Sequence, residues 1–244
     1  MTPRERNLVI VPLWVKISLG ITLIAQLIWH QYTPSPRALI KELVPPPSLE
    51  IVKSLSLGDS ITAAKVLMLW LQAFDNQSGQ FLSNKQLNYQ AVELWLERIL
   101  QLDPKAQYPI LAASYQYAHV RDDPQRQRQM LEFVYQQFFA DPERRWVWLA
   151  HAAILAKHRL KDLQLALKYA QAITEHATPN MPRWAQEMQI FILEDMGELE
   201  RAQLVIGGML TKGNLTDINE IAFLAKKLEE LEQKSQTVKQ ELQK

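Results

Sequence analysis

Cysteine is absent from the 244 residues. This excludes a disulfide framework, a zinc–thiolate site, a cysteine nucleophile and a cysteine-linked lipid anchor. It does not assign a compartment, because cysteine-free chains are tolerated on either side of a membrane. Glycine is scarce, at 7 residues. No G-x-x-x-x-G-K-[ST], G-x-G-x-x-G or G-x-S-x-G pattern occurs, and Gly207-Gly208 near a helix end reads as a packing or capping feature rather than a phosphate cradle. Charge of one sign is missing too: 27 Lys and Arg face 26 Asp and Glu. Without residues 1–30 the balance is 24 to 25, since Arg4, Arg6, Lys16 and Glu5 leave with them. A nearly neutral body lacks the basic footprint of a nucleic-acid binder. β-Branched runs are short as well, while Leu, Ala, Gln, Glu and Lys dominate. That composition predicts an all-α fold.

One long apolar run is present. Leu8 to Trp29 reads LVIVPLWVKISLGITLIAQLIW with Lys16 as its single charge. As a helix it would be about 33 Å long, close to the roughly 30 Å hydrocarbon core of a bilayer. Trp29 and Tyr32 fall where an interfacial aromatic belt is expected, and Pro12 sits in the first turns, where a missing donor costs least. A cleavable signal would require small residues after the apolar core, and Leu27–Tyr32 offers none. A buried core helix would require a polar face, and polar residues are too few. The expectation is an uncleaved transmembrane helix over 8–30, behind a tail of 1–7. Arg4, Arg6 and Lys16, which can snorkel toward the same end, lie closer to the span than Arg37, Lys41 and Lys53. They predict a cytoplasmic N-terminus with the bulk extracytoplasmic, hence periplasmic in a bacterium.

Residues 31–58 hold Pro34, Pro36 and Pro45–Pro47, five of the chain's 13 prolines. This stretch reads either as a stiff spacer or as a loop packed on the following domain. From residue 59 to 215 one helical pattern follows another. Asp103-Pro104, Asp123-Pro124 and Asp141-Pro142 each join an N-cap type to a first-turn type. Asp162 and Asp217 can cap two further helices, the latter with Glu220 as a capping box, and Gly197 can end one. The predicted helices are 60–75, 86–102, 107–120, 124–140, 146–158, 162–176, 181–195, 198–211 and 217–240, with a longer break at 75–85. Short connections make neighbours antiparallel: four hairpins and a long last helix over 216–244.

The hairpins recur. Pro104, Pro142 and Pro179 are spaced by 38 and 37 positions. Ala118, Met130, Val134 and Gln137 in one unit correspond to Ala153, Leu165, Tyr169 and Ala172 in the next, where Leu149 and Ala152 also fall at packing positions. Gly197 and Ala202 lie in the phrase GELERA, and WLERILQLDP ends at Pro104. Over residues 86–211 this resembles the tetratricopeptide (TPR) repeat, stretched from its 34-residue period and lacking most of its first-helix aromatics. The resemblance implies an α-solenoid whose first helices line a concave groove for peptides or proteins. Carried onto this sequence, the groove positions are Tyr115, His119, Lys157, Trp184, Glu187, Phe191 and Glu194.

Other chemistry is sparse. His151 and His158 share a helix face, but no H-E-x-x-H pattern or third ligand accompanies them, so no metal and no cofactor is expected. Glu194, Asp195, Glu198 and Glu200 read as a solvated acidic edge rather than an acid–base pair. Trp146, Trp148, Trp184, Phe133, Phe138 and Phe139 read as core. The last helix carries Ile221, Leu224, Leu228, Leu231, Ser235, Val238 and Leu242 at heptad-like spacing, which suits a solenoid cap or a coiled-coil seam. These readings predict a membrane-anchored adaptor or assembly factor that binds a protein partner, not an enzyme. A self-associating structural subunit, and an enzyme with an unmarked site, are the alternatives.

Overall fold

A computed structural model describes residues 12–32, 42–74, 76–77, 80–81, 86–211 and 217–242. Arg4, Arg6, Pro34, Pro36, Arg37, Lys41, the first four residues of the expected span and most of the break at 75–85 lie outside these. The chain divides into two units: Met1–Lys41 with Gln77–Gln80, and a helical body of Glu42–Asn76 and Phe81–Lys244.

The N-terminal unit contains helix α1, Leu13–Tyr32. Its 20 residues carry one cation, Lys16, and none is buried. At 1.5 Å per residue it is about 30 Å long, so α1 is long and apolar enough to cross a bilayer.

The body is an α-solenoid. Short helix α2 (Leu49–Leu55) leads into four hairpins. They pair α3 (Ser60–Ala73) with α4 (Tyr89–Leu102), α5 (Tyr108–Leu111, prolonged by a π-helical stretch Ala112–Tyr117) with α6 (Pro124–Phe138), α7 (Pro142–His158) with α8 (Leu163–Glu175), and α9 (Arg183–Asp195) with α10 (Leu199–Thr211). Helix α11, Ile218–Leu242, packs on α10 and closes the array. The strand content among the described residues is a ribbon of two two-residue strands, Asn76–Gln77 and Gln80–Phe81.

Capping explains most of these boundaries. The carboxylates of Asp59, Asp123 and Asp162 accept the N–H of Thr62, Arg126 and Leu165 at 2.9, 3.1 and 2.9 Å. Each satisfies a donor with no partner inside its helix. Gly197 ends α9 at φ +75°, and the Glu198 N–H returns to the Leu193 carbonyl at 2.9 Å. Two expected signals act differently. Asp103-Pro104 closes a turn, with the Ala106 N–H on the Asp103 carbonyl, and α5 starts only at Tyr108. Glu220 reaches Arg183 at 3.7 Å, in place of the capping box expected with Asp217.

Residues 42–58 belong to the body, with Leu43 and Val52 buried in its core. The packed-loop reading therefore holds for this part, and it includes helix α2. The core runs continuously through the hairpins: Ala118, Met130, Val134, Leu149, Ala152, Ala153, Leu165, Tyr169, Ala172 and Ala202 are all buried. Of the aromatics read as core, Phe133 and Phe138 are buried, Trp146 and Trp148 are partly so, and Phe139 and Trp184 are exposed. Trp184 lies edge-on against Trp146 at 5.5 Å, which covers one side of the ring and leaves the other free.

Polar contacts between successive hairpins repeat the register. Glu93 accepts from Gln129, Asp162 from Arg128, Glu132 from Lys168 and Glu143 from Asn180, across 36, 34, 36 and 37 residues. Each element thus touches its equivalent one unit on, as stacking requires.

Candidate functional site

The first helices of the hairpins, α3, α5, α7 and α9, form one face, with α11 beside α9. Their side chains fall into two zones.

The first zone is aromatic. Tyr115 is 52 % exposed and stands on the π-helical stretch, where the Ala118 N–H reaches back five residues to the Ala113 carbonyl. The wider turn breaks the 3.6-residue rotation expected of a helix over 107–120 and re-aims the side chains it carries; such bulges recur at functional sites. The Tyr115 ring lies parallel to the His151 ring of α7, centroids 3.9 Å apart, with His119 6.0 Å away and Trp148 edge-on at 6.4 Å. Trp148 is held by donation from Nε1 to Oε1 of Gln107 at 3.1 Å. Burial, and then neighbouring His119, lower the His151 pKa to about 4. His151 is therefore neutral at physiological pH and presents a flat uncharged ring. Beyond Tyr108, on the same helix, an open cavity of about 510 Å³ runs between α3, α4 and α5, lined by Met68, Leu69, Ile99 and Pro109. Tyr108 bonds Gln72 across it.

The second zone is occupied by the chain itself. Glu194 accepts from Lys227 at 2.7 Å and also from Lys234, both on α11. Lys227 lies 5.5 Å over the Phe191 ring. Lys157 pairs with Asp195, Glu198 with Arg201 at 2.9 Å, and Glu200 with Lys239 at 2.9 Å. Of the acidic turn read as a solvated edge, Glu194 is partly buried under α11, while Asp195 and Glu200 are exposed. Leu224 and Leu231, from the apolar row that suited a coiled coil, are buried against the body, so the row serves as a cap.

Of the seven sequence-predicted positions, Tyr115 and His119 come together. Trp184 stands apart beside Trp146, Lys157 is spent in an ion pair, and Glu187, Phe191 and Glu194 face α11. His151 and Trp148 were missed as members of the aromatic zone. A signal existed, because Tyr115 plus the 36-residue contact register gives His151. His158, its expected companion, is exposed at the other end of α7.

Glu187 is 9 % exposed, and burial, followed by the nearby Glu220 carboxylate, raises its pKa above the ordinary 4.5. A raised carboxyl pKa favours the folded state below the unfolded value and withdraws that support as pH rises through the folded value. Glu187→Gln is therefore expected to raise the melting temperature at pH 7 by about 1–4 °C, with the gain vanishing below about pH 4. Melting curves of both proteins across that range check this. Glu194, held below the ordinary value by its lysine hydrogen bonds, works in the opposite sense and weakens α11 docking as pH falls below the carboxylate range.

No family model, curated protein or solved structure matches the chain.

Proposed function

We propose that the chain is a membrane-anchored, tetratricopeptide-like scaffold that captures a protein partner on the aromatic zone of its first-helix face. The observation that carries this reading is Tyr115: a large exposed aromatic ring, re-aimed by a π-helical turn and backed by His151, His119 and Trp148. Rigid aromatic rings supply contact area at low entropic cost, and such side chains dominate binding energy at interfaces. In a solenoid the first helices line the concave side, so this zone lies in the groove that repeat proteins use for peptides and helices. The adjoining apolar cavity would take a side chain of the bound segment. Helix α1 supplies the anchor, and Arg4, Arg6 and Lys16 favour a cytoplasmic N-terminus with the solenoid on the other side. The groove reading rests on the residues from α3 to α7; α11 covers the remainder.

Tyr115→Ala is expected to weaken capture of the partner from solubilised membranes at least tenfold, about 1.4 kcal/mol or more. Phe191→Ala is expected to leave capture within about twofold, because that ring serves α11 docking. Pull-down with quantitative mass spectrometry, on variants of unchanged helicity, gives the comparison. Equal capture by wild type and Tyr115→Ala would remove the aromatic zone from the account.

A further inference from the structure

Exposed large apolar side chains are not spread evenly over the body. Val44, Ile51, Leu55, Leu57, Ile61, Val66, Leu69 and Trp70 all fall within residues 42–74. The four times longer stretch 86–211 carries only one more, nine in all. Single exposed apolar residues require no explanation, whereas a dense patch marks a surface that something covers. The patch has an organised edge. Ile51 and Leu55 are four apart on α2 and share a side of it. Leu57, 95 % exposed, projects from the turn that follows, and Ile61 lies on the first turn of α3, with Leu69 two turns on along the same side. Leu57 holds φ +51°, a left-handed conformation that costs a branched side chain energy, and it does so beside Gly58, which carries φ +93° freely. A leucine in that place gains nothing from the fold, because it has no buried contact to recover the strain.

Tyr32, which ends α1, and Glu42, which opens the body, are separated by ten peptide steps, at most about 35 Å even fully extended. If α1 spans a bilayer, the α2–α3 patch is the part of the body nearest to it along the chain. Charge in the patch is mixed, with Lys53 and Lys65 against Glu50 and Asp59. The attraction available to it is therefore apolar insertion rather than adsorption to anionic headgroups, and the lysine ammonium groups can snorkel to phosphates while their stems stay with the leucines.

We propose that the α2–α3 edge, led by Leu55, Leu57 and Ile61, docks into the interfacial layer of the bilayer that holds α1, and so fixes the solenoid's first hairpin on the membrane. This rests on the anchor reading of α1. Docking would orient the stack, with the first hairpin at the lipid and α11 at the far end.

The chain has no native thiol, so single-cysteine variants of the full-length protein in phosphatidylcholine vesicles can be labelled cleanly with an environment-sensitive fluorophore. The positions are Ile21→Cys in α1, Leu57→Cys in the patch, and Leu204→Cys on exposed α10. Lipids bearing a quencher near the headgroup or at mid-chain report depth. Docking predicts about twofold or stronger quenching of the Leu57 label by the shallow quencher, unchanged at high salt, with the Leu204 label unaffected. The Ile21 label is quenched by the mid-chain lipid if α1 spans. An Ile21 label quenched beside an unquenched Leu57 label overturns the docking and leaves the anchor standing. An unquenched Ile21 label overturns the anchor, and the docking with it. Leu204 quenched as strongly as Leu57 denies the patch any special role. A Leu57 signal that ignores the quenchers but follows the protein-to-lipid ratio assigns the patch to a second copy, which also overturns the proposal.

Discussion

Arg145→Ala is expected to destabilise the body by about 3–5 kcal/mol. Arg145 sits in the first turn of α7 with 2 % of its surface exposed. One guanidinium nitrogen donates to the Gln137 carbonyl at the end of α6 at 2.5 Å, and the other to the Pro104 carbonyl in the turn after α4 at 2.7 Å. A single side chain therefore ties together the connections of three consecutive hairpins. Burial lowers its pKa, yet an arginine remains charged because its ordinary value lies so high. Its removal strands the Pro104 carbonyl, takes a charge-assisted bond from the Gln137 carbonyl, which keeps the Ala140 N–H at 3.3 Å, and leaves a cavity where the buried side chain lay. For a domain of this size the melting temperature should fall by about 10 °C. Lysine at the same position can reach only one carbonyl, so about half the loss is expected. A full-length Arg145→Ala protein that unfolds within about 1 kcal/mol of wild type in urea would show that the bridge contributes little.

The second large effect concerns the cap. Leu224 is fully buried between α11 and the body, and Leu231 lies one heptad further on. An aspartate at 224 would place a carboxylate in that fully buried position, at a cost of several kcal/mol. Solenoid stability is close to a sum of neighbour interactions, so the cost is limited by letting α11 go. Leu224→Asp is thus expected to raise amide exchange across 218–240 roughly a hundredfold while the hairpins from α3 to α8 keep their protection. Val238→Asp, in the same row but half exposed near the end of the helix, should change little. Uniform loss of protection along the whole chain would contradict the nearest-neighbour description.

Much of this architecture was legible in the sequence because it is written in local chemistry. Asp123-Pro124, Asp162 and Gly197 mark helix ends by satisfying nearby backbone groups, and the structure follows them closely. Asp141-Pro142 also marks a start, although the Asp141 carboxylate pairs with Arg144 and caps no N–H. Asp141-Pro142 begins α7 at Pro142, earlier than the 146 that hydrophobic periodicity suggested, since Glu143 and Arg144 are exposed and leave no apolar trace. Asp103-Pro104 carries the same letters but closes a turn, because Tyr108-Pro109 offers a second start four residues on. Helix α2 escaped notice, being seven residues long and embedded after three prolines.

The candidate site was legible only in part, for a different reason. Arg144 and Arg145 are adjacent and identical in type, yet one is exposed and the other buried, a distinction made by the carbonyls of Gln137 and Pro104 in other units. Glu194 looked solvated because its lysines, Lys227 and Lys234, lie more than thirty residues away on α11. The π-helical turn that lifts Tyr115 leaves no periodic trace of its own. Each of these features depends on contacts between repeats, which periodicity within one helix does not encode.

The central claim is that a partner is captured at Tyr115 beside a membrane. Its most direct test is a photo-crosslinking amino acid placed at Tyr115 in the full-length protein in intact membranes, with Leu204 on exposed α10 as the reference position. The account predicts one discrete heterologous adduct from position 115 and none from 204, with a partner from the extracytoplasmic side. Self-adducts alone, no adduct from a folded protein, or equal adducts from both positions would contradict it.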